Sequence, residues 1–134
     1  MRATFLLTTL TAFFVIGAMA QSDADYQGWM KTVGGTMGSM NKQFAAKDGP
    51  AAASDAQKLE ATFKEVQGFW SKRGGADDAV TFASNAQTAA AAVAKAANAG
   101  NWDEAAAQAK SLQSNCGGCH RAHREGSAGN FMIK

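Results

Sequence analysis

The sequence predicts an all-α protein folded as an antiparallel up-down-up-down four-helix bundle. In four successive segments, apolar residues recur at alternating spacings of three and four, which holds one stripe of each helix toward a common axis. No segment alternates with period two, so no strand is expected. The breaks between segments are only a few residues long and cannot carry the chain back to its starting end, so neighbouring helices must run antiparallel.

The chain of 134 residues opens with Met1-Arg2, an apolar run from Phe5 to Ile16, and Ala18-Met19-Ala20 ahead of polar Gln21 and Ser22. A basic start, a short apolar core and a small-x-small site make residues 1–20 a secretory signal peptide, cleaved after Ala20. The run is shorter than the roughly 18 residues of a spanning helix, and nothing later in the chain is apolar enough to span a membrane. Cleavage leaves residues 21–134, enough for one domain with one core.

The first helical segment, about Asp23 to Ala46, carries Tyr26, Met30, Val33, Met37, Met40 and Phe44 on its stripe and ends before Lys47-Asp48-Gly49-Pro50. Pro50 suits the first turn of the next helix, where its missing N–H is not needed. The second, about Ala51 to Trp70, aligns Ala56, Leu59, Phe63, Val66 and Trp70, and Arg73-Gly74-Gly75 breaks it. The third, about Asp77 to Ala99, follows Ala79, Phe82, Ala86, Ala89, Val93 and Ala96 and stops at Gly100. In the fourth, Asn101 precedes Glu104 as in a capping box. Its stripe is Trp102, Ala105, Ala109, Leu112, Cys116, Cys119 and His123. Residues Gly126 to Lys134 form a tail whose Phe131, Met132 and Ile133 are able to dock on the bundle.

This core is short of large aliphatics. After the signal peptide the chain has two leucines, one isoleucine and four valines, against alanine runs such as Ala89 to Ala92. Alanine favours helices and close approach but buries little apolar area. A further apolar body is expected to fill the interior.

The chemistry concentrates in Cys116-Gly117-Gly118-Cys119-His120, which contains both cysteines of the chain. The export signal puts them in an oxidising compartment, where a C-x-x-C serves as a disulfide, a metal site or a pair of haem thioethers. A redox C-x-x-C needs a helix N-terminus after a strand to lower its thiol pKa, and this one sits late in a helix. Zinc fails on geometry. Cys116, Cys119, His120 and His123 fall at i, i+3, i+4 and i+7, and at 1.5 Å per residue the first and last lie about 10 Å apart along the axis. Zinc needs its donors within about 2.0–2.3 Å. A C-x-x-C-H, by contrast, is the attachment signature of haem c: the two thiols grip one porphyrin edge and His120 reaches the iron.

The motif lies at the far end of a four-helix pattern rather than near the mature N-terminus. In this the chain resembles the class II c-type cytochromes, the cytochrome c-prime family, over about Tyr26 to Arg124. Their motif continues as C-x-x-C-H-x-x-aromatic-Arg; here Arg124 matches and His123 stands for the aromatic. The resemblance implies one covalent haem c, thioethers at Cys116 and Cys119, and His120 as proximal iron ligand. It puts Arg124 near a haem propionate or the proximal face. An Arg at a helix C-terminus is also favourable with the helix dipole on its own account. His123 packs in the aromatic's place; on the same helix as His120, it cannot reach the opposite haem face.

The resemblance also bears on the sixth iron position. Cytochromes c-prime proper leave it open behind an apolar residue of the first helix and bind NO or CO there, whereas a low-spin branch places a methionine. Met30-Lys31, small residues, then Met37-Gly38 look like that branch, which makes Met30 the distal ligand. Gly34 lies one turn beyond Met30 on the same face. With Gly28, Gly35 and Gly38 it costs helix stability, about 1 kcal/mol each relative to Ala, where a flat macrocycle would lie close. Stripe methionines also serve as plain core fillers.

The expected function is therefore a periplasmic one-electron carrier, not an enzyme, with His/Met ligation favouring the reduced iron. It would meet larger redox proteins in transient contacts, and the family's habit of pairing through the first two helices makes a homodimer possible. The alternatives are a five-coordinate cytochrome c-prime binding NO or CO, and a haem-free thiol oxidoreductase. The net charge is +2, about +1 after cleavage, with no basic cluster resembling a phosphate-binding surface, which argues against nucleic acid.

Overall fold

The computed structural model describes residues 21–134, and the signal-peptide expectation for residues 1–20 lies outside them. Four helices fill most of this span: α1 (Asp23–Ala46), α2 (Gly49–Arg73), α3 (Asp77–Asn98) and α4 (Trp102–His123). They agree with the expected segments within a few residues, and α2 extends furthest beyond its expected ends. Among the described residues no helix is long and apolar enough to cross a membrane.

The helix ends follow local chemistry. Ser22 caps α1: its Oγ accepts from the Asp25 N–H at 3.1 Å, and the Asp25 carboxylate accepts from the Ser22 N–H at 2.8 Å. This reciprocal pair satisfies two N–H groups the helix cannot. Lys47 ends α1 in the left-handed region at φ 55°. Asp48 then accepts from the Ala51 N–H at 3.0 Å, with Pro50 in the first turn of α2. At α4 the expected capping box is only half made. Asn101 Oδ1 accepts from the Glu104 N–H at 3.3 Å, but Glu104 Oε1 accepts from Gln108 Nε2 at 2.8 Å instead of reaching back. An i,i+4 partner on the same face is the nearer donor.

The four helices pack against one another as a bundle, α2 along both α1 and α3, and α3 along α4. Contacts between opposite helix ends fix the directions. At one end Arg73 of α2 meets Asp23 of α1 at 2.8 Å, and Asp78 of α3 meets His123 of α4. At the other, the rings of Phe44 and Trp102 sit edge to face with centroids 5.7 Å apart. There too α2 and α3 come close enough that a Cβ on Gly49 would lie 2.6 Å from the Ala97 carbonyl oxygen.

The packed core is built mainly from α2 and α3. Leu59, Trp70, Met40, Leu112 and Val93 are its largest fully buried side chains, set among alanines such as Ala56, Ala79 and Ala90. At the Arg73 end, Tyr26, Phe69 and Trp70 form a ring cluster with centroids 4.8–5.6 Å apart.

The tail corrects the expectation of no strand. β1 (Arg124–Glu125) pairs antiparallel with β2 (Met132–Ile133), Arg124 opposite Ile133 and Glu125 opposite Met132. Two-residue strands are too short for a period-two pattern to register in sequence. Gly126 and Gly129, at φ 91° and 90°, let the chain reverse, and the Asn130 N–H donates to the Ser127 carbonyl at 2.9 Å. The reversal lays the tail back across the bundle: Gln27 Nε2 of α1 donates to the Phe131 carbonyl at 3.0 Å, and the Lys134 N–H to the His123 carbonyl at 3.0 Å.

Candidate functional site

α1 and α4 pack on each other far less than the other neighbouring helices do, and a cavity of about 1160 Å³ opens between them. That is above the roughly 300–1,000 Å³ typical of small-molecule sites. Met30, Gly34 and Met37 of α1 line one side, and Cys116, Cys119, His120 and His123 of α4 line another. Phe63 and Val66 of α2 and Phe82 of α3 contribute apolar surface, and Gly129 to Ile133 of the tail complete the boundary.

The stripe pattern explains why the space is there. Met30, Met37, Phe82, Cys116, Cys119 and His123 all occupy core-facing positions, yet each is only partly buried, and each lines this cavity. Elsewhere the same stripes are closed, as at Met40, Leu59, Val93 and Leu112. The scarcity of large aliphatics is thus concentrated at one end of the bundle.

Both cysteines are free thiols. Burial pushes each up to about 11, with the Asp78 carboxylate and Cys116 adding to the rise at Cys119. Burial holds His120 below the usual imidazole value, and the Arg124 guanidinium lowers it further, so the neutral ring is favoured. Tyr26, on the same lining, is pushed up to about 12, first by burial and then by its neighbour Cys119. The Trp70 indole N–H opposes that rise but is itself buried without a well-formed hydrogen bond. The only charged side chains on the lining are Lys31 and Arg124, apart from whatever charge the histidines carry.

The remaining motif residues fall into place around this cavity. Arg124 is exposed, directly after α4, with its guanidinium 4.0 Å from the centre of the Phe131 ring. The His123 ring lies tilted against Trp70 at 5.0 Å between centroids, and its Nε2 lies 2.9 Å from the Asp78 carboxylate. Met40 is fully buried and does not line the cavity.

The glycine expectation needs correction. Of Gly28, Gly34, Gly35 and Gly38, only Gly34 lines the cavity. A Cβ on any of the four meets nothing within 4 Å, so only Gly34 bears on room inside the site. Near the site, a close-packed glycine is instead Gly118, inside the C-x-x-C-H, where a Cβ would lie 2.5 Å from Phe82 Cε1.

Residue patterns did not point to Gln27 or to the way the tail crosses the site. The Ser22-x-x-Asp25 cap, by contrast, carried a readable sequence signal. Among the described residues no three His, Cys, Asp or Glu side chains are grouped to hold a metal ion.

No family model and no curated protein matches this chain. The resemblance to the class II cytochromes rests on the residues themselves.

Proposed function

We propose that the protein is a periplasmic monohaem c-type cytochrome of the class II, low-spin kind, acting as a one-electron carrier. The observation that carries this reading is that one large, mostly apolar cavity receives both thiols and His120 from α4 and Met30 from α1. Haem supplies a one-electron iron couple when bound. The residues present fit it on donor chemistry and on space.

Cys116 and Cys119 are unpaired and, with raised thiol pKa values, protonated; they are the residues that would hold the haem through thioethers. His120 favours the neutral ring that a metal ligand requires. Met30 offers a thioether sulfur from a different helix, and Gly34 adds no bulk beside it. Val66, Phe63 and Phe82 line the cavity with apolar surface that would shield a bound haem from water and so favour the less charged ferrous state. The Arg124 guanidinium lowers the His120 pKa, which supports a place for it on the side of the haem that His120 would hold.

Thiol exchange is disfavoured by the same site. Thiols near 11 are almost wholly protonated at neutral pH, and the thiolate is the nucleophile.

Two spectra test the proposal. A pyridine haemochrome assay on periplasmically expressed protein should give one haem c per chain. The ferrous absorption spectrum should be six-coordinate and low-spin with sharp alpha and beta bands. A high-spin spectrum that changes readily with CO would overturn the carrier in favour of an NO- or CO-binding cytochrome c-prime.

A further inference from the structure

We infer that the hairpin tail and the last turn of α4 form a docking surface for a protein partner bearing carboxylates. This rests on the electron-carrier reading and deepens it by giving the partner's chemistry. Phe131 and Met132, at 37 % and 58 % exposure, are the large hydrophobic side chains left exposed among the described residues. They are neighbours in sequence, and both sit at the boundary of the cavity.

Charged groups of both signs lie near them, with the acidic Glu125 opposite Met132 in the strand pair. The Arg124 guanidinium lies on the Phe131 ring at 4.0 Å, and Lys134 Nζ donates to the Arg121 carbonyl at 3.1 Å, which brings the Lys134 and Arg121 positions together. From Arg121 to Lys134 there are three basic side chains, besides His123, and one acidic side chain, Glu125. The ion pairs among the described residues are Arg73 with Asp23 and His123 with Asp78, so Arg121, Arg124 and Lys134 are in none.

Exposed Phe and Met in a segment where unpaired Arg and Lys outnumber the single Glu have the composition of an interface patch, and the surplus of positive charge is complementary to carboxylates. Its small extent suits a transient encounter. A lipid surface fits less well. Stable membrane attachment takes an amphipathic helix or two anchoring signals, and the tail is a short two-stranded turn.

The test uses the full haem-loaded chain and gold electrodes coated with carboxylate-, hydroxyl- or amine-terminated monolayers. Adsorbed mass is followed on a microbalance and electron transfer by voltammetry. The protein should adsorb selectively on carboxylate and be released by salt. The double variant Arg121→Glu, Lys134→Glu should weaken that adsorption by about tenfold or more. Lys42→Glu, Lys47→Glu, an equal charge change toward the opposite end of the bundle, should leave most of it. Unchanged haem absorbance and circular dichroism would show that the variants fold.

Equal losses in both variants, or no preference for carboxylate, would overturn the proposal. So would binding to phosphatidylglycerol vesicles as strong as to the carboxylate monolayer, since the surface would then be a lipid contact. Absence of haem from the purified protein would overturn the carrier reading instead, and the adsorbed mass would still score the patch.

Discussion

His123 Nε2 lies 2.9 Å from both carboxylate oxygens of Asp78, joining the last turn of α4 to the first turn of α3, while its ring rests on Trp70. The hydrogen bond from His123 holds the Asp78 carboxyl below its ordinary value. Asp78 is exposed, so solvent screens the pair, and the ring contact is the stronger element. His123→Phe should therefore unfold at nearly the wild-type denaturant midpoint. His123→Ala should lose about 1–2 kcal/mol. Equal losses in the two variants would assign the stabilisation to Asp78 instead.

Met30 and Met40 lie on one stripe of α1 but in different surroundings, the first lining the cavity and the second fully buried. In the haem-loaded protein, Met30→Ala is expected to convert a low-spin spectrum to a high-spin one. Met40→Ala should keep the spectrum and cost about 2–4 kcal/mol in urea unfolding. Should Met30→Ala leave the spectrum unchanged, Met37 is the next candidate, because it also lines the cavity.

Two glycines mark close approaches of different hardness. A Cβ on Gly49 meets the Ala97 carbonyl, which is backbone, while one on Gly118 meets the edge of the Phe82 ring. Gly49→Ala should be destabilising by about 1–3 kcal/mol in spite of alanine's better helix propensity. Gly118→Ala should cost less, because the ring can turn, and should alter the phenylalanine region of the near-UV circular dichroism through Phe82. Thermal unfolding of both variants checks the order.

The thiols give a pH signature in the haem-free chain. Burial raises both from 9.0 to about 11, so at pH 8 the folded protein should react with iodoacetamide roughly 100-fold more slowly than the unfolded chain. The unfolded state releases these protons near pH 9 and the folded state near 11. The stabilising contribution is thus complete below about pH 9 and is lost as the pH rises to about 11. Fast alkylation of folded protein at pH 8 would contradict this burial.

The tail bridges α4 to α1 through the Phe131 carbonyl and Gln27. Truncation after Glu125 should leave the helices intact by far-UV circular dichroism. It should also widen access to the cavity, read as stronger binding of a fluorescent apolar dye to the haem-free chain.

Helical periodicity, the Gly and Pro breaks and the alanine content were enough to place four helices within a few residues. Such signals are local, and each helix carries its own stripe. The C-x-x-C-H was equally legible because its chemistry depends on spacing within one turn. Four stripe methionines and aromatics, however, looked alike in sequence: Met30, Met37, Met40 and Phe82. Only the packing separates Met40, closed in by neighbours, from the other three, which face open space.

The tail was the least legible part, because its strands pair over two residues and its anchor, Gln27, lies 104 residues from Phe131. The sequence by itself determined which residues are helical and singled out the C-x-x-C-H as the candidate chemistry, because both depend on neighbours a turn apart. Tertiary structure alone decided that Met30, Cys116, Cys119, His120 and the tail border one cavity, because that depends on how far α1 stands from α4, a distance set by side chains on all four helices.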